Sequence, residues 1–204
     1  MAVYAIGDLH LSLGTDKPMD VFPGWKGYKD KLERSWNALV RPEDTVVLAG
    51  DTSWAMKLED TSADFAFLQS LPGRKLLLKG NHDYWWCTKA KMDRYLAQQG
   101  FDSLAILHNN SFLVEGMALC GTRSWLFDAG QPHDEKVMNR ELGRLRMSLE
   151  SAEAGEKVVF VHYPPLCSNA RAPEVIAVLR EYGVRRCFYG HLHGAAIRYA
   201  VQGI

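Results

Sequence analysis

Residues 76–83 read LLLKGNHD, and the fold follows from how that stretch is built. Three leucines and Lys79 make a run too short for a helix. It stops at Gly80 and opens into Asn81-His82-Asp83. A short apolar run closed by a turn residue reads as a buried strand. The same form recurs as YAIGDLH at 4–10, VVLAGD at 46–51, VVFVHYPP at 158–165 and CFYGHLH at 187–193. Each places metal-prone or acid–base side chains just past an apolar run. Amphipathic segments lie between the runs, so strands alternate with helices. That alternation predicts an α/β sandwich whose strands are covered on both faces. In open α/β sheets ligands bind beyond the carboxyl ends of strands. All five polar blocks fall at such ends and are expected to share one site.

Strands are predicted at Val3–Ile6, Val46–Ala49, Lys75–Leu78, Leu104–Leu107, Ser111–Glu115, Met117–Gly121, Val158–His162 and Cys187–Tyr189, with a last one near Ala196–Val201. Tyr28, Leu32, Trp36 and Leu39 recur at helical spacing after a Gly, Pro and Asp-rich loop at 14–24. Further helices are predicted over Thr61–Leu71, Thr88–Gln99, Glu135–Ala154 and Glu174–Tyr182, the second of these stopping at Gly100. Met138, Leu142, Leu145, Leu149 and Ala152 form the apolar stripe of the longest. No repeat or linker interrupts the pattern, so residues 1–204 are read as a single domain.

Composition narrows the class. Hydrophobic residues make up 47% and charged residues 24%, as in an ordinary globular domain. The 24 Lys and Arg balance the 24 Asp and Glu, so no basic field marks a nucleic-acid or anionic-membrane partner. The first residues carry no signal-peptide pattern. No apolar stretch approaches the roughly 18 residues of a membrane span. Cys87, Cys120, Cys167 and Cys187 form no CxxC pair and are expected as free thiols. A cytoplasmic location is expected.

The candidate ligands are Asp8, His10, Asp51, Asn81, His162, His191 and His193. They are too many for one zinc, which takes about four. They suit two cations sharing a carboxylate, an arrangement that clamps the attacking and leaving oxygens of a phosphoryl displacement. Asp8 and His10, and again His191 and His193, stand at i and i+2, where an extended segment aims both side chains the same way.

In order, DxH, GD, GNHD, VHYPP and GHLH, these blocks resemble the calcineurin-like metallophosphoesterases. GDTSWAM and KGNHDYWW further resemble small uncharacterised bacterial phosphohydrolases of that superfamily. The resemblance implies a four-layer α/β/β/α sandwich and a two-metal phosphoesterase acting on a phosphomonoester or phosphodiester through a metal-bridging hydroxide. It makes Asp51 the bridge, with Asp8, His10 and His193 on one metal and Asn81, His162 and His191 on the other. It makes His82 the general acid and Asp83 the group that orients the His82 imidazole. Two divalent ions less Asp8, Asp51 and a hydroxide leave a positive surplus for an anionic ester. Mn²⁺ is the expected ion, with Fe or Zn as alternatives, because mixed imidazole, carboxylate and amide ligands suit several first-row metals. Relatives commonly add a strand after GHLH, so the C-terminal strand is expected to be missing. The alternative function is a catalytically weak metal-binding scaffold on the same fold. A di-iron redox protein would instead place Glu-x-x-His pairs on bundle helices, and no such pair is seen.

Other residues stay open. Arg123 reads equally as a phosphate contact or a surface arginine. Trp54, Trp85, Trp86 and Trp125 read as packing over the sheet edge or as an aromatic wall for a flat substrate group. His108 and His133 are expected on the surface or in loops. Arg140, Arg144 and Arg146 are expected on the solvated side of a helix, among Glu135, Glu141 and Glu150. The substrate is a phosphorylated molecule of undefined identity.

Overall fold

The computed structural model describes residues 1–126, 135–167, 171–193 and 204. The first sheet is wholly parallel and keeps chain order: β1 (Val3–Ile6), β2 (Thr45–Leu48), β3 (Arg74–Leu77) and β4 (Leu104–Ile106). The second holds β5 (Ser111–Val114), β6 (Met117–Thr122), β7 (Glu156–Val161) and β8 (Arg186–Tyr189). There β5 and β6 form an antiparallel hairpin, and β6, β7 and β8 run parallel. The hairpin turns on Glu115 and Gly116, with φ of 48° and 74°. Two successive positive φ values are the backbone that matches strand twist in a two-residue turn.

Side chains alternate along each strand and so sort into layers. In β2, Val46 and Leu48 face outward to join Trp36, Phe65, Leu68 and Met92 in one core. These four come from the helices α1 (Tyr28–Leu39), α2 (Ser62–Ser70) and α3 (Lys89–Gln99). Val47, between them, turns inward and meets Leu76, Leu78, Leu119, Val158 and Phe160, residues of both sheets. On the far side, Cys120, Val159 and Val161 pack against Met138, Leu145, Leu149, Val175 and Val178. Those last five lie on α4 (Glu135–Glu150) and α5 (Pro173–Glu181). Helices, sheet, sheet, helices: the four-layer α/β/β/α sandwich is present.

Predicted and observed elements agree in type and order, with ends shifted by a few residues. The largest shift is at α4, which stops at Glu150 rather than Ala154. Gly100 ends α3 in the left-handed conformation, φ 71°. Short 3-10 turns at Met19–Val21 and Leu58–Thr61 carry no signal in the periodicity. Lys75, predicted to open a buried strand, is fully buried, and its Nζ donates to the carbonyls of Leu71 (2.6 Å) and Gly73 (2.8 Å). It thereby satisfies orphan carbonyls past the end of α2, while burial pushes its ammonium down to about 8. All four cysteines are free thiols. Among the described residues no helix is long and apolar enough to cross a membrane. The predicted strand near Ala196–Val201 and His133 lie outside the described residues.

Candidate metal centre

Each ligand stands just past a strand end. Asp8 and His10 follow β1, Asp51 follows β2, Asn81 follows β3, His162 follows β7, and His191 and His193 follow β8. The chain does not hold them by simple extension. Asp8, His10, Asp51 and His191 all have positive φ, at 57°, 46°, 52° and 71°. The expected extended Asp8-Leu9-His10 segment is therefore replaced by left-handed residues on either side of Leu9. Non-glycine residues resist this region and persist there where the surroundings over-determine them. The surroundings here are backbone bonds across to the β2 loop: Asp8 N to Gly50 O (3.0 Å), His10 N to Asp51 O (2.9 Å) and Leu11 N to Thr52 O (3.0 Å).

All seven side chains converge. His193 Nε2 lies 3.4 Å from Asp8 Oδ1 and 3.3 Å from His10 Nε2, and His10 Nε2 lies 3.8 Å from Asp51 Oδ2. On the other side, Asn81 Oδ1 lies 2.6 Å from His162 Nε2 and 3.0 Å from His191 Nδ1, and His162 Nε2 lies 3.5 Å from Asp51 Oδ2. Asp51 Oδ2 is common to both groups. Its other oxygen, Oδ1, accepts the His82 amide at 2.7 Å.

His162 supplies the chemical test of metal fit. Its Nδ1 contacts the Ala49 carbonyl at 2.9 Å, a contact that requires the ring proton on Nδ1. Burial pushes the imidazole down to about 3, so it carries no second proton. Nε2 is then a bare lone pair facing Asn81 Oδ1 and Asp51 Oδ2, also lone-pair donors. With Asp51 ionised, three acceptors this close repel unless a cation lies among them, and a carbonyl on the far nitrogen is how ligand histidines are usually set. Burial, then the Asp83 carboxylate, pushes Asp51 up to about 8, as expected of an acid awaiting a positive partner. The residues fit divalent metal.

Asp83 departs from expectation. Among the described residues its carboxylate takes its hydrogen bonds from groups other than the His82 ring. Oδ2 accepts the amides of Asp51 (2.9 Å) and Gly80 (2.7 Å). Oδ1 accepts those of Thr52 (2.9 Å) and Ser53 (3.2 Å) and the Trp85 indole N–H (3.0 Å). Asp83 is thus a buried tie between the β2 and β3 loops, and its oxygens are saturated. The neighbour of His82 Nδ1 is the Tyr84 hydroxyl, at 3.3 Å. Adjacency of Asp to His in sequence does not show which way the carboxylate turns.

Gly80 is forced by this crossing. A Cβ there would overlap the Asp51 carboxylate and amide. Gly50, at φ +94°, would put one 2.5 Å from His162 Nδ1. The backbones approach so closely because nothing projects from either.

The tryptophans divide. Trp54 stacks on His10 with ring centroids 5.1 Å apart and lies 4.7 Å from the His82 ring. Trp25, which belongs to no motif, edges onto His10 at 5.8 Å and lies 6.0 Å from His193. Trp85 is core, packed against Phe65, and Trp86 packs against His108. Arg123 binds Glu141 Oε1 at 3.3 Å and lies over Trp125, so it is not a free surface arginine. His108, expected on the surface or in a loop, lies half-buried in the β4–β5 loop, and burial pushes it down to about 4. Arg140 and Arg146 stay on the wet side of α4, but Arg144 turns to the buried Glu141 at 2.6 Å.

A sequence model of the family described as calcineurin-like phosphoesterase matches residues 1–195. Among solved structures, the phosphopantetheinyl hydrolase of Mycobacterium tuberculosis is similar at TM-score 0.56 and 16% identity, over 97% of this chain and 85% of that one. The protein TT1561 of Thermus thermophilus is similar at TM-score 0.55 and 15% identity, over 92% and 80% of the two chains. At such identities the likeness is one of fold. Among curated proteins, none matches the chain.

Proposed function

Because the chain belongs to the calcineurin-like phosphoesterase family, we propose that it hydrolyses a phosphomonoester or phosphodiester at a centre of two divalent ions. The observation that carries the proposal is the bare His162 Nε2 lone pair facing Asn81 Oδ1 and Asp51 Oδ2. Asp8, His10 and His193 would hold one ion and Asn81, His162 and His191 the other, with Asp51 shared between them. Mn²⁺ is the favoured occupant, since imidazole, carboxylate and amide ligands together suit first-row ions over magnesium or calcium. When bound, the ions supply an activated water and offset the charge of the ester.

The chain's own groups do the rest. His82 lies between Trp54 and Tyr84, with Nδ1 toward the Tyr84 hydroxyl. As the imidazolium it donates Nδ1–H to that hydroxyl's oxygen, which leaves Nε2–H available to a leaving oxygen. Burial, then the neighbouring His193 and Lys17, pushes the His82 imidazole down, which makes Nε2–H a more willing donor once the ring is charged. Trp25 and Trp54 line the approach beside His10 and keep water from its ring. Asp83 holds the β2 and β3 loops in register by the bonds already given.

The test is hydrolysis of p-nitrophenyl phosphate and of bis-p-nitrophenyl phosphate by protein stripped and reloaded with Mn²⁺, with His82→Ala alongside. Turnover is expected only in the loaded protein. It should fall about 10²–10⁴-fold in the variant, with bound metal unchanged by atomic spectroscopy. Absence of metal-dependent turnover on both esters would favour the scaffold reading instead.

A further inference from the structure

A second polar cluster lies beside the metal centre, at the same carboxyl-end edge of the sheets. Lys79 leaves β3 two residues before Asn81, and Arg123 and Ser124 leave β6. The Arg123 carbonyl accepts the amides of His162 (3.2 Å) and Tyr163 (3.0 Å), which fixes it against the metal ligands. Arg144 comes in from α4, and His108 lies in the β4–β5 connection. The buried Glu141 is the acid the arginines share, at 2.6 Å from Arg144 and 3.3 Å from Arg123. One carboxylate stands against three cations, for the oxygens of nearby Asp83 are already taken by five donors.

Hydrogen bonding is also left incomplete there. Arg123 Nε, Ser124 Oγ, Trp125 Nε1, Trp86 Nε1 and His108 Nδ1 are buried with no partner among the described residues. Ser124 is only 2% exposed and is held at φ 63°. Buried polar groups in native proteins are nearly always paired, and an orphaned donor costs stability. Several orphans in one positive cluster, one in a strained conformation, point to a ligand that supplies acceptors and negative charge. Glu141 Oε2 is an orphan acceptor in the same cluster and suits the proton of a hydrogen phosphate. The positive field is felt locally: after burial, Arg144, Lys79, Arg123 and Lys89 are what push His108 down.

We propose that Lys79, Arg123 and Arg144 form an oxyanion subsite that holds a second phosphate of the substrate while the metal centre works on the first. The inference rests on the phosphoesterase reading and narrows its substrate class to phosphoesters carrying another phosphate group. Guanidinium groups suit that ligand, since their fork matches two phosphate oxygens at once.

The experiment has a binding arm and a turnover arm, both on the metal-loaded full chain. Calorimetric titration with inorganic phosphate is expected to show a site that weakens ten-fold or more in Arg144→Gln and in Lys79→Gln. Arg123→Gln/Glu141→Gln, which removes both charges of the buried pair together, should lose the same site. Phosphate binding equal in wild type and all three variants would overturn the subsite. In the second arm, kcat/KM for propane-1,3-diol bisphosphate is compared with that for propyl phosphate. The ratio should exceed ten in wild type and fall towards one in the variants. A ratio alike in wild type and variants would overturn the role in substrate choice. Failure to turn over either ester would count against the phosphoesterase reading, and the binding arm would still decide the subsite.

Discussion

Asp83 shows how one buried carboxylate can govern a site without touching its chemistry. Its five hydrogen bonds join Asp51, Thr52 and Ser53 of one loop to Gly80 and Trp85 of the next. Asp83→Asn keeps the shape but turns an amide N–H₂ toward backbone donors. Removing one partner of a buried charged network costs about 3–5 kcal/mol. We predict a fall of that order in the denaturant-derived unfolding free energy, with weakened metal retention. An effect confined to turnover would instead return Asp83 to His82. The seven ligands are legible in the sequence because each carries its own chemistry past a strand end. Asp83's role is not, because it depends on partners about 30 residues away, 32 to Asp51 and 31 to Thr52. Trp25 escapes a sequence reading for the same reason, since it belongs to no motif and only the fold brings it to His10.

At the level of elements, period-2 and helical spacing distinguish the segments that are strands from those that are helices. They say nothing of the loops that carry the site. The i, i+2 pair Asp8 and His10 reads as extended, yet both residues are left-handed because the β1 loop is bonded to the β2 loop and must follow its path. The crossing of the β2 and β3 loops is the tightest point of that arrangement, and Gly80 is what makes it possible. Gly80→Ala must push the Asp51 carboxylate aside. We predict that it abolishes metal binding and activity together, as measured by metal content and p-nitrophenyl phosphate turnover. The strands themselves, buried among three apolar cores, should persist in its far-ultraviolet circular dichroism. A variant that kept both ions would show that the crossing tolerates a Cβ. Gly24, whose Cβ would meet nothing, is the contrasting position, though its φ of +87° still disfavours alanine.

Across the whole molecule, the centre joins the two sheets: Asp8, His10, Asp51 and Asn81 come from the first, His162, His191 and His193 from the second. Metal should therefore stabilise the entire sandwich, and the effect should depend on pH in a defined direction. Burial, then Asp83, raises Asp51 from 3.8 to about 8 in the folded, metal-free chain. For a raised acid, the folded state is favoured below the unfolded value, and that advantage is lost as pH rises through the folded value. The metal-free protein should thus lose this group's contribution between about pH 4 and pH 8. Metal binds the ionised carboxylate, so its affinity rises with pH over the same range and levels off above about 8. His10 and His162 do not oppose this, because burial holds them at about 4 and about 3, already neutral at pH 6. A ligand at a hundred times its Kd adds about 2.7 kcal/mol, or roughly 5–10 °C in Tm for a domain of this size. We predict a larger Tm difference between Mn²⁺-loaded and chelated protein at pH 8 than at pH 6, with net proton release on binding at pH 6. A difference that shrinks as pH rises would mean that Asp51 is ionised before the metal arrives, and that some other group sets the charge of the centre.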